Sequence, residues 1–455
     1  QDPDDPQAQY LMHCWGRMCR VMGKAFLPYM PKVLPPLLEL ASAKADVQLL
    51  DDEEQIAKFA QEDGWELVPL RGKTIGIKTS AMDDKHMAIE LLVVYAQVLE
   101  EAFAQHADDI MEKIALPGLA FFFHDQVRFV SARLVPQLLS CVKKAYGSQS
   151  QQLVNLWNKT VDKLLEVLSA EPAIDTLAEM YQCFYESVEV IGMPCLTDER
   201  MSKFIDNVMS ALQDFDERAK QRKEELQGLA PEELEDDQEE LQEAIDDDQT
   251  LLADMNKAFN CIFKYHGVSF LPHWERLQPV YAEFLKSDDT MQIQWVLCLF
   301  DDVLEYCGAQ SSHYDKLIMG PLLNGLKQRS PAVRQAAAYG IGVAARQAGK
   351  EWAAMLKNAI KPLFEVVEVP SWNEHGVLPD GLTEEAILDK ARNDDNVYAT
   401  ENACAAIAKI LHFYPEAVTV DPYQVIAQWF KLLPITNDEE AAPYTYLYLV
   451  ELISK

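Results

Sequence analysis

Apolar positions recur along the chain at helical spacing, and one segment shows the pattern in an unusual form. "SPAVRQAAAYGIGVAARQAG", residues 330–349, contains seven alanines and three glycines. At about 100° per residue, Val333, Ala337, Gly340, Ile341, Ala344 and Ala348 fall on one arc. Ala338, Gly342 and Ala345 widen that arc past half the circumference. The strip left for solvent is Gln335, Tyr339, Val343, Arg346 and Gln347. So wide an arc of small residues predicts an inner helix held between close neighbours, with Gly340 and Gly342 as packing positions.

A stack predicts recurrence, and the chain shows it. Helical runs end at Gly267, Gly308 and Gly349, 41 residues apart each time, and at Gly147 and Gly192, 45 apart. Glycine just past a helical run is a common C-terminal stop. Between stops the pattern is helix, turn, helix, as in "SFLPHWERLQPVYAEFLKS" followed by "DDTMQIQWVLCLFDDVLEYCG". Prolines fall within the first helix of such pairs ("IALPGLAFFF", "IMGPLLNGL", "AIKPLFEVV"), where they start or bend it. Two second helices open alike, "HDQVRF" and "SPAVRQ", which makes Arg128 and Arg334 equivalent packing residues. Helix pairs of about 40 residues are the HEAT class, in which no pair buries its apolar face alone. The expected fold is all-α, a HEAT-repeat α-solenoid of about seven or eight pairs spanning residues 1–455.

Three stretches interrupt the period. Residues 44–82, with "DGWELVPLRGKTIGIKTS", read as an inserted loop or small hairpin, with strand confined to residues 65–79. Residues 369–395, with "PSWNEHGVLPDG", read as a second inserted loop. Residues 224–248, "EELQGLAPEELEDDQEELQEAIDDD", hold thirteen acidic residues and no basic one. They read as an acidic insertion, either a solvated stretch or an arm for a basic ligand.

Charge sharpens this picture. Lys and Arg number 40 against 73 Asp and Glu, a net charge of −33. That repels nucleic acid and anionic membranes and attracts a basic partner. No apolar run reaches the roughly 18 residues of a membrane span, so neither nucleic acid nor membrane insertion is expected. The nine cysteines are scattered without a CxxC pair, which suits reduced thiols inside a cell. The opening "QDPDDPQAQY" lacks an initiator Met, and the chain is expected to be a piece of a longer one.

Catalytic chemistry is hard to find. Gly340, Gly342 and Ala345 match GxGxxA, but inside a helix rather than after a strand, which makes them a packing face. There is no P-loop, HExxH or GxSxG motif, and the histidines lack metal-ligand spacing. An enzyme, a metal and a cofactor are therefore not expected.

Several stretches go beyond period. "EDGWELV", "GIKTSAMDDK", "FFFHDQVRFVSARLVP", "WVLCLFDDVLEYCG", "SPAVRQAAAYGIGVAA" and "YATENACAAIAKIL" together resemble, in order, the middle and later repeats of karyopherin-beta (importin-beta) nuclear import receptors. The resemblance implies a superhelical solenoid, a monomer, whose second helices line a concave face. It implies basic cargo such as ribosomal proteins, histones and lysine-rich localisation signals. It also implies phenylalanine-rich nucleoporins as partners, release by Ran-GTP through a main contact in repeats outside this chain, and shuttling between cytoplasm and nucleus. A HEAT-repeat scaffold without nucleotide-driven release is the alternative.

With that reading, the alignment of Gly308 on Gly349 selects candidate cargo contacts. It places Gln294, Cys298, Asp302, Glu305 and Tyr306 on the open strip, with Asp301 at its edge. Asp301, Asp302 and Glu305 would pair with lysine or arginine, and Gln294, Glu401 and Asn402 would join them, an amide gripping the cargo backbone.

Overall fold

A computed structural model of the chain describes residues 6–45, 47–50, 53–60, 64–70, 73–228, 238–347, 349–367, 392–393 and 396–454. The backbone divides into two compact units, Gln1–Ala258 and Phe259–Lys455.

Unit 1 opens with α1 (Pro6–Met22), a 3₁₀ turn and α2 (Met30–Ala41). Three strands follow, β1 (Val47–Leu50), β2 (Trp65–Leu70) and β3 (Lys73–Lys78), with α3 (Glu53–Phe59) after the first. They form an antiparallel sheet in the order β1-β3-β2, and β2 with β3 is a hairpin in which Leu70 faces Lys73. Strand is therefore not confined to residues 65–79. "VQLL" of β1 is too short to show a period and is defined by its pairing, Val47 opposite Ile77.

The helical run of unit 1 is α4 (Thr79–Leu99), α5 (Ala104–Ile110), α6 (Leu116–Leu119), α7 (Asp125–Tyr146), α8 (Gln151–Ala170), α9 (Ile174–Ile191) and α10 (Asp198–Gly228). Then α11 (Gln238–His266) crosses into unit 2. Between α5 and α6 the backbone widens into a π turn, Met111–Ala115, just before Pro117. The ring of a proline cannot follow a preceding helical turn unchanged, and the bulge accommodates it. The second helices α1, α4, α7 and α9 pack in series. Their inner faces, such as Leu92, Val130, Leu134, Leu138 and Phe184, are fully buried. Each such side chain contributes about 1.5–3 kcal/mol relative to exposure.

Unit 2 repeats the scheme. First helices are α12 (Leu271–Trp274) with α13 (Gln278–Phe284), then α15 (Asp315–Gly325), α17 (Ala353–Val367) and α19 (Pro422–Phe430). Second helices are α14 (Thr290–Tyr306), α16 (Pro331–Gln347), α18 (Val397–Phe413) and α20 (Ala442–Ser454). Glycine stops appear where the period puts them: Gly192 is left-handed at φ 70° and closes α9, and Gly308 has φ 51° just beyond α14.

Side chains tie each repeat to the next at one period. Asn207 Nδ2 donates to Leu165 O at 2.9 Å and Asn260 Nδ2 to Asp302 Oδ1 at 2.7 Å, each 42 residues apart. Trp352 Nε1 donates to Ser311 Oγ at 3.2 Å, 41 residues away. Arg128 and Arg334, both buried, reach the chain that precedes their own helix. Arg128 Nε donates to Leu119 O at 3.2 Å, while Arg334 Nη1 donates to Gln328 O at 2.8 Å and Arg329 O at 2.6 Å. Leu119 O is a carbonyl that the end of α6 leaves without a helical partner, and Gln328 O and Arg329 O lie in the connection between α15 and α16. Arg128 also pairs with the Glu171 carboxylate, and Arg334 with Asn396.

The acidic segment is not a single solvated insertion among the described residues. Residues 224–228 continue α10 and residues 238–248 begin α11, while 229–237 lie outside the described residues. Asp248 is fully buried, held by Arg218 Nη2 at 2.7 Å and Arg222 Nη2 at 2.5 Å. It clamps the two long helices together, a role that the charge run concealed. Of the expected loop 369–395, only Arg392 and Asn393 are described, and Arg392 Nη2 donates to Leu432 O at 2.8 Å.

The segment of small residues, α16, is flanked by α14 and α18. A Cβ added at Gly342 would sit 3.1 Å from Lys409 Cδ and 3.2 Å from Ala406 Cα, both in α18. One added at Gly340 would overlap Asp301 Oδ1 of α14. Val343, expected on the solvent strip, is buried, because the neighbours close over the strip's edge. Arg346 and Gln347 are exposed. We expect Gly342→Leu to lower the stability of the chain by about 1–3 kcal/mol, the usual cost of overpacking. Thermal and urea melts check it, and an unchanged midpoint would show that α18 is not this close.

Candidate binding face of the second helices

On α14 the apolar arc is Val296, Leu299, Phe300, Val303 and Leu304, all fully buried. Asp289 starts the helix, its carboxylate accepting from Met291 N at 2.9 Å. The polar residues lie on the remaining side, but the structure separates them by depth. Glu305 and Gln294 are half-buried at the surface. Asp301 and Asp302 are each only 6% exposed. The expectation that both stand open to cargo is therefore corrected. A second helix has a second helix on each flank, so residues at the edges of its strip fall into the seams between helices.

Each seam treats its carboxyl differently. Asp302 takes the amide of Asn260, whose Nδ2 also lies 3.4 Å from Tyr306 Oη. Asp301 lies against Gly340, and its Oδ1 has no hydrogen-bond partner among the described residues. Glu305 Oε2 accepts from Tyr339 Oη at 2.9 Å. Burial pushes the Asp301 carboxyl well above the ordinary range, and the negative charges of Asp302 and Glu305 add to the shift. Burial likewise raises Asp302, against the opposing hydrogen bond of Asn260. The strip thus carries less negative charge near neutrality than three free carboxylates would.

Cations and aromatics complete the face. Lys409 of α18 is 7% exposed, its Nζ 5.5 Å from the ring centres of both Tyr339 and Tyr444. Burial lowers its pKa, Arg346 lowers it further, and Glu305, Asp438 and Glu440 oppose the change. Arg346 stacks 4.1 Å over Tyr444. The sequence reading missed Asn260 and Lys409. The signal for Asn260 was present, since one repeat period from Asp302 lands on it.

Glu401 and Asn402 are not open contacts either. Glu401 is 4% exposed and accepts from the backbone N–H of Thr436 at 2.8 Å, of Asn437 at 3.0 Å and of Asp438 at 2.7 Å. Asn402 Nδ2 donates to Tyr398 O at 2.9 Å and Asp438 Oδ2 at 2.7 Å. The loop before α20 folds back onto α18, and these two side chains hold it there. Among the described residues no group of His, Cys, Asp and Glu is placed to hold a metal ion, and no helix is long and apolar enough to cross a membrane.

Partly sunk carboxyls, tyrosines and amides thus lie together across the stacked second helices of unit 2. Comparison with known proteins agrees with that architecture. Importin subunit beta-3 of Saccharomyces cerevisiae is 34% identical over 99% of this chain and 39% of its own length. Over nearly its whole length the chain is thus similar to a segment of an importin-beta-type receptor. The family model "Importin repeat 6" matches residues 176–287. Kap121p bound to RanGTP superposes with a TM-score of 0.82 at 32% identity, covering 100% of this chain and 39% of that one. Kap121p bound to Pho4p gives 0.81 at 32% identity, covering 99% and 39%. The fold class is accordingly the all-α HEAT-repeat solenoid, and the chain spans well under half the length of these relatives.

The sign of the Asp301 shift sets a test. A carboxyl whose pKa is raised on folding is most favourable below its unfolded value, near 3.8. It loses that advantage as pH rises from there toward its folded value. We expect Asp301→Asn to stabilise the chain at neutral pH, the gain shrinking toward acid. Melts of both proteins across that pH range check it. A variant less stable at neutral pH would mean that Asp301 is ionised and usefully paired.

Proposed function

We propose that the chain is part of a nuclear import receptor that carries basic, lysine-rich cargo and releases it to Ran-GTP. The observation that carries this reading is the likeness to importin beta-3 over 99% of this chain. The complexes of Kap121p with RanGTP and with Pho4p support it. Histones and ribosomal proteins are cargo of suitable charge for a chain at −33. Phenylalanine-rich nucleoporins would be met in transit, and the receptor would shuttle between cytoplasm and nucleus. No catalytic step enters this cycle.

Within unit 2, the groups at the surface for a lysine or arginine side chain are Glu305 and Gln294, with Tyr306 and Tyr339 beside them. Asp301 and Asp302 lie beneath them and shape the seam rather than pairing with cargo directly. Half-exposed pairs are worth about 0.2–1 kcal/mol each, so affinity is assembled from many. The exposed carboxylates of the α10–α11 hairpin, such as Glu243 and Asp246, extend the acidic surface in unit 1.

The experiment is a pull-down of histones and ribosomal proteins on the full-length receptor, with and without Ran-GTP. Capture followed by release is expected. Capture that Ran-GTP leaves unchanged would favour a scaffold of HEAT repeats instead. On this chain, Glu305→Gln is expected to weaken a lysine-rich peptide a few-fold at low salt, with the melt unchanged and the difference fading at high salt. Equal affinity would place basic cargo on other repeats.

A further inference from the structure

Unit 1 has a groove of about 550 Å³ lined by residues of α1, α4, α7 and α9, and its chemistry runs against the charge of the chain. His13, Arg17 and Arg20 follow at steps of four and three, which puts them on one face of α1. All three are exposed and line the groove. Arg17 and Arg20 have no hydrogen bond or ion pair among the described residues. Arg133 joins them from α7.

The carboxylates in the groove are already engaged. Glu90 Oε1 holds Arg133 Nη2 at 3.3 Å and lies 4.0 Å from His86 Nε2. Glu186 Oε1 accepts from Gln182 Nε2 at 2.8 Å. With three arginines against two carboxylates, the lining keeps a surplus of guanidinium in a chain that carries excess acid. Between the arginines lie the amides Gln97 and Gln137 and the apolar side chains Met12, Met87 and Val130. Gly16, buried, lets α1 approach α4: a Cβ there would come 2.8 Å from Leu91 Cδ1.

We propose that this groove binds an extended acidic segment of a partner protein. Arg17 and Arg20 present planar forks that match carboxylates and have no partner among the described residues, and Arg133 can share its fork between Glu90 and the ligand. Gln97 and Gln137 supply donors and acceptors for the ligand backbone. The methionines adapt to small apolar residues between the acids. Nucleic acid suits the groove less: no Phe, Tyr or Trp lines it for base stacking, and the net charge of −33 repels a phosphate chain. The ligand charge is opposite to that of the basic cargo proposed above, so the two readings stand or fall separately.

The test is fluorescence anisotropy of a labelled glutamate–serine peptide titrated with the chain. A serine–glycine peptide and a single-stranded RNA of equal length serve as the other arms. We expect the glutamate peptide to bind best and to weaken as salt rises to physiological strength. Arg17→Glu with Arg20→Glu should cost about tenfold in affinity or more, with the melting temperature unchanged. Arg17→Gln with Arg20→Gln, the milder pair, should show a smaller loss in the same direction and keeps the test readable if charge reversal disturbs α1. Binding of the glutamate peptide no tighter than the serine–glycine control would overturn the proposal. So would affinity unmoved by both variants, or tighter binding of RNA.

Discussion

The close approach of second helices in unit 2 depends on a few positions where a side chain is missing. Gly340 faces α14 and Gly342 faces α18, and the alanines of α16 before and after them keep both seams narrow. Dispersion and apolar burial then act across the full length of each seam, and no repeat has to close a core alone. The same narrowness decides the electrostatics. A carboxyl at a seam loses its water, and unless a neighbour supplies a donor it is forced toward the neutral form. Asp302 has Asn260, while Oδ1 of Asp301 has no such donor among the described residues, although the two are adjacent in sequence.

That constraint explains which parts of the structure were legible in sequence. Helical period, glycine stops and the small-residue arc of α16 depend on local geometry, which a helical wheel captures. Arg128 and Arg334 were visible as a repeated position, though the carbonyls they serve were not. Depth was the harder quantity. A wheel assigns an angle, and Asp302 has the angle of a surface residue, but whether a residue at the edge of a strip is exposed depends on the neighbour's distance. Val343 was misplaced for the same reason. Glu401 and Asn402 were misread because the loop that covers them is more than thirty residues away in the chain. Asp248 was hidden within an acidic run whose composition says nothing about two arginines on the preceding helix.

For function, the consequence is that charge and recognition are spread rather than concentrated. In the reading proposed for unit 2, a basic ligand would meet a rim of half-exposed groups over sunken carboxyls whose pKa values burial raises. Unit 1 offers a groove of opposite sign. Under the two proposals made above, weak contacts distributed in this way would let one chain bind partners of different charge. It would also release them when a few contacts are lost, since each is worth little.

The most direct test of the seam is a double-mutant cycle between its two sides, Gly340→Ala and Asp301→Ala, read by urea unfolding of the chain. A Cβ at Gly340 meets the Asp301 carboxylate, so Gly340→Ala should be costly alone and much less so when Asp301 has been cut back to alanine. A coupling of about 0.5–3 kcal/mol is the expected result for residues in such contact. Additive effects would contradict the account, because they would mean that the two helices do not meet at this point.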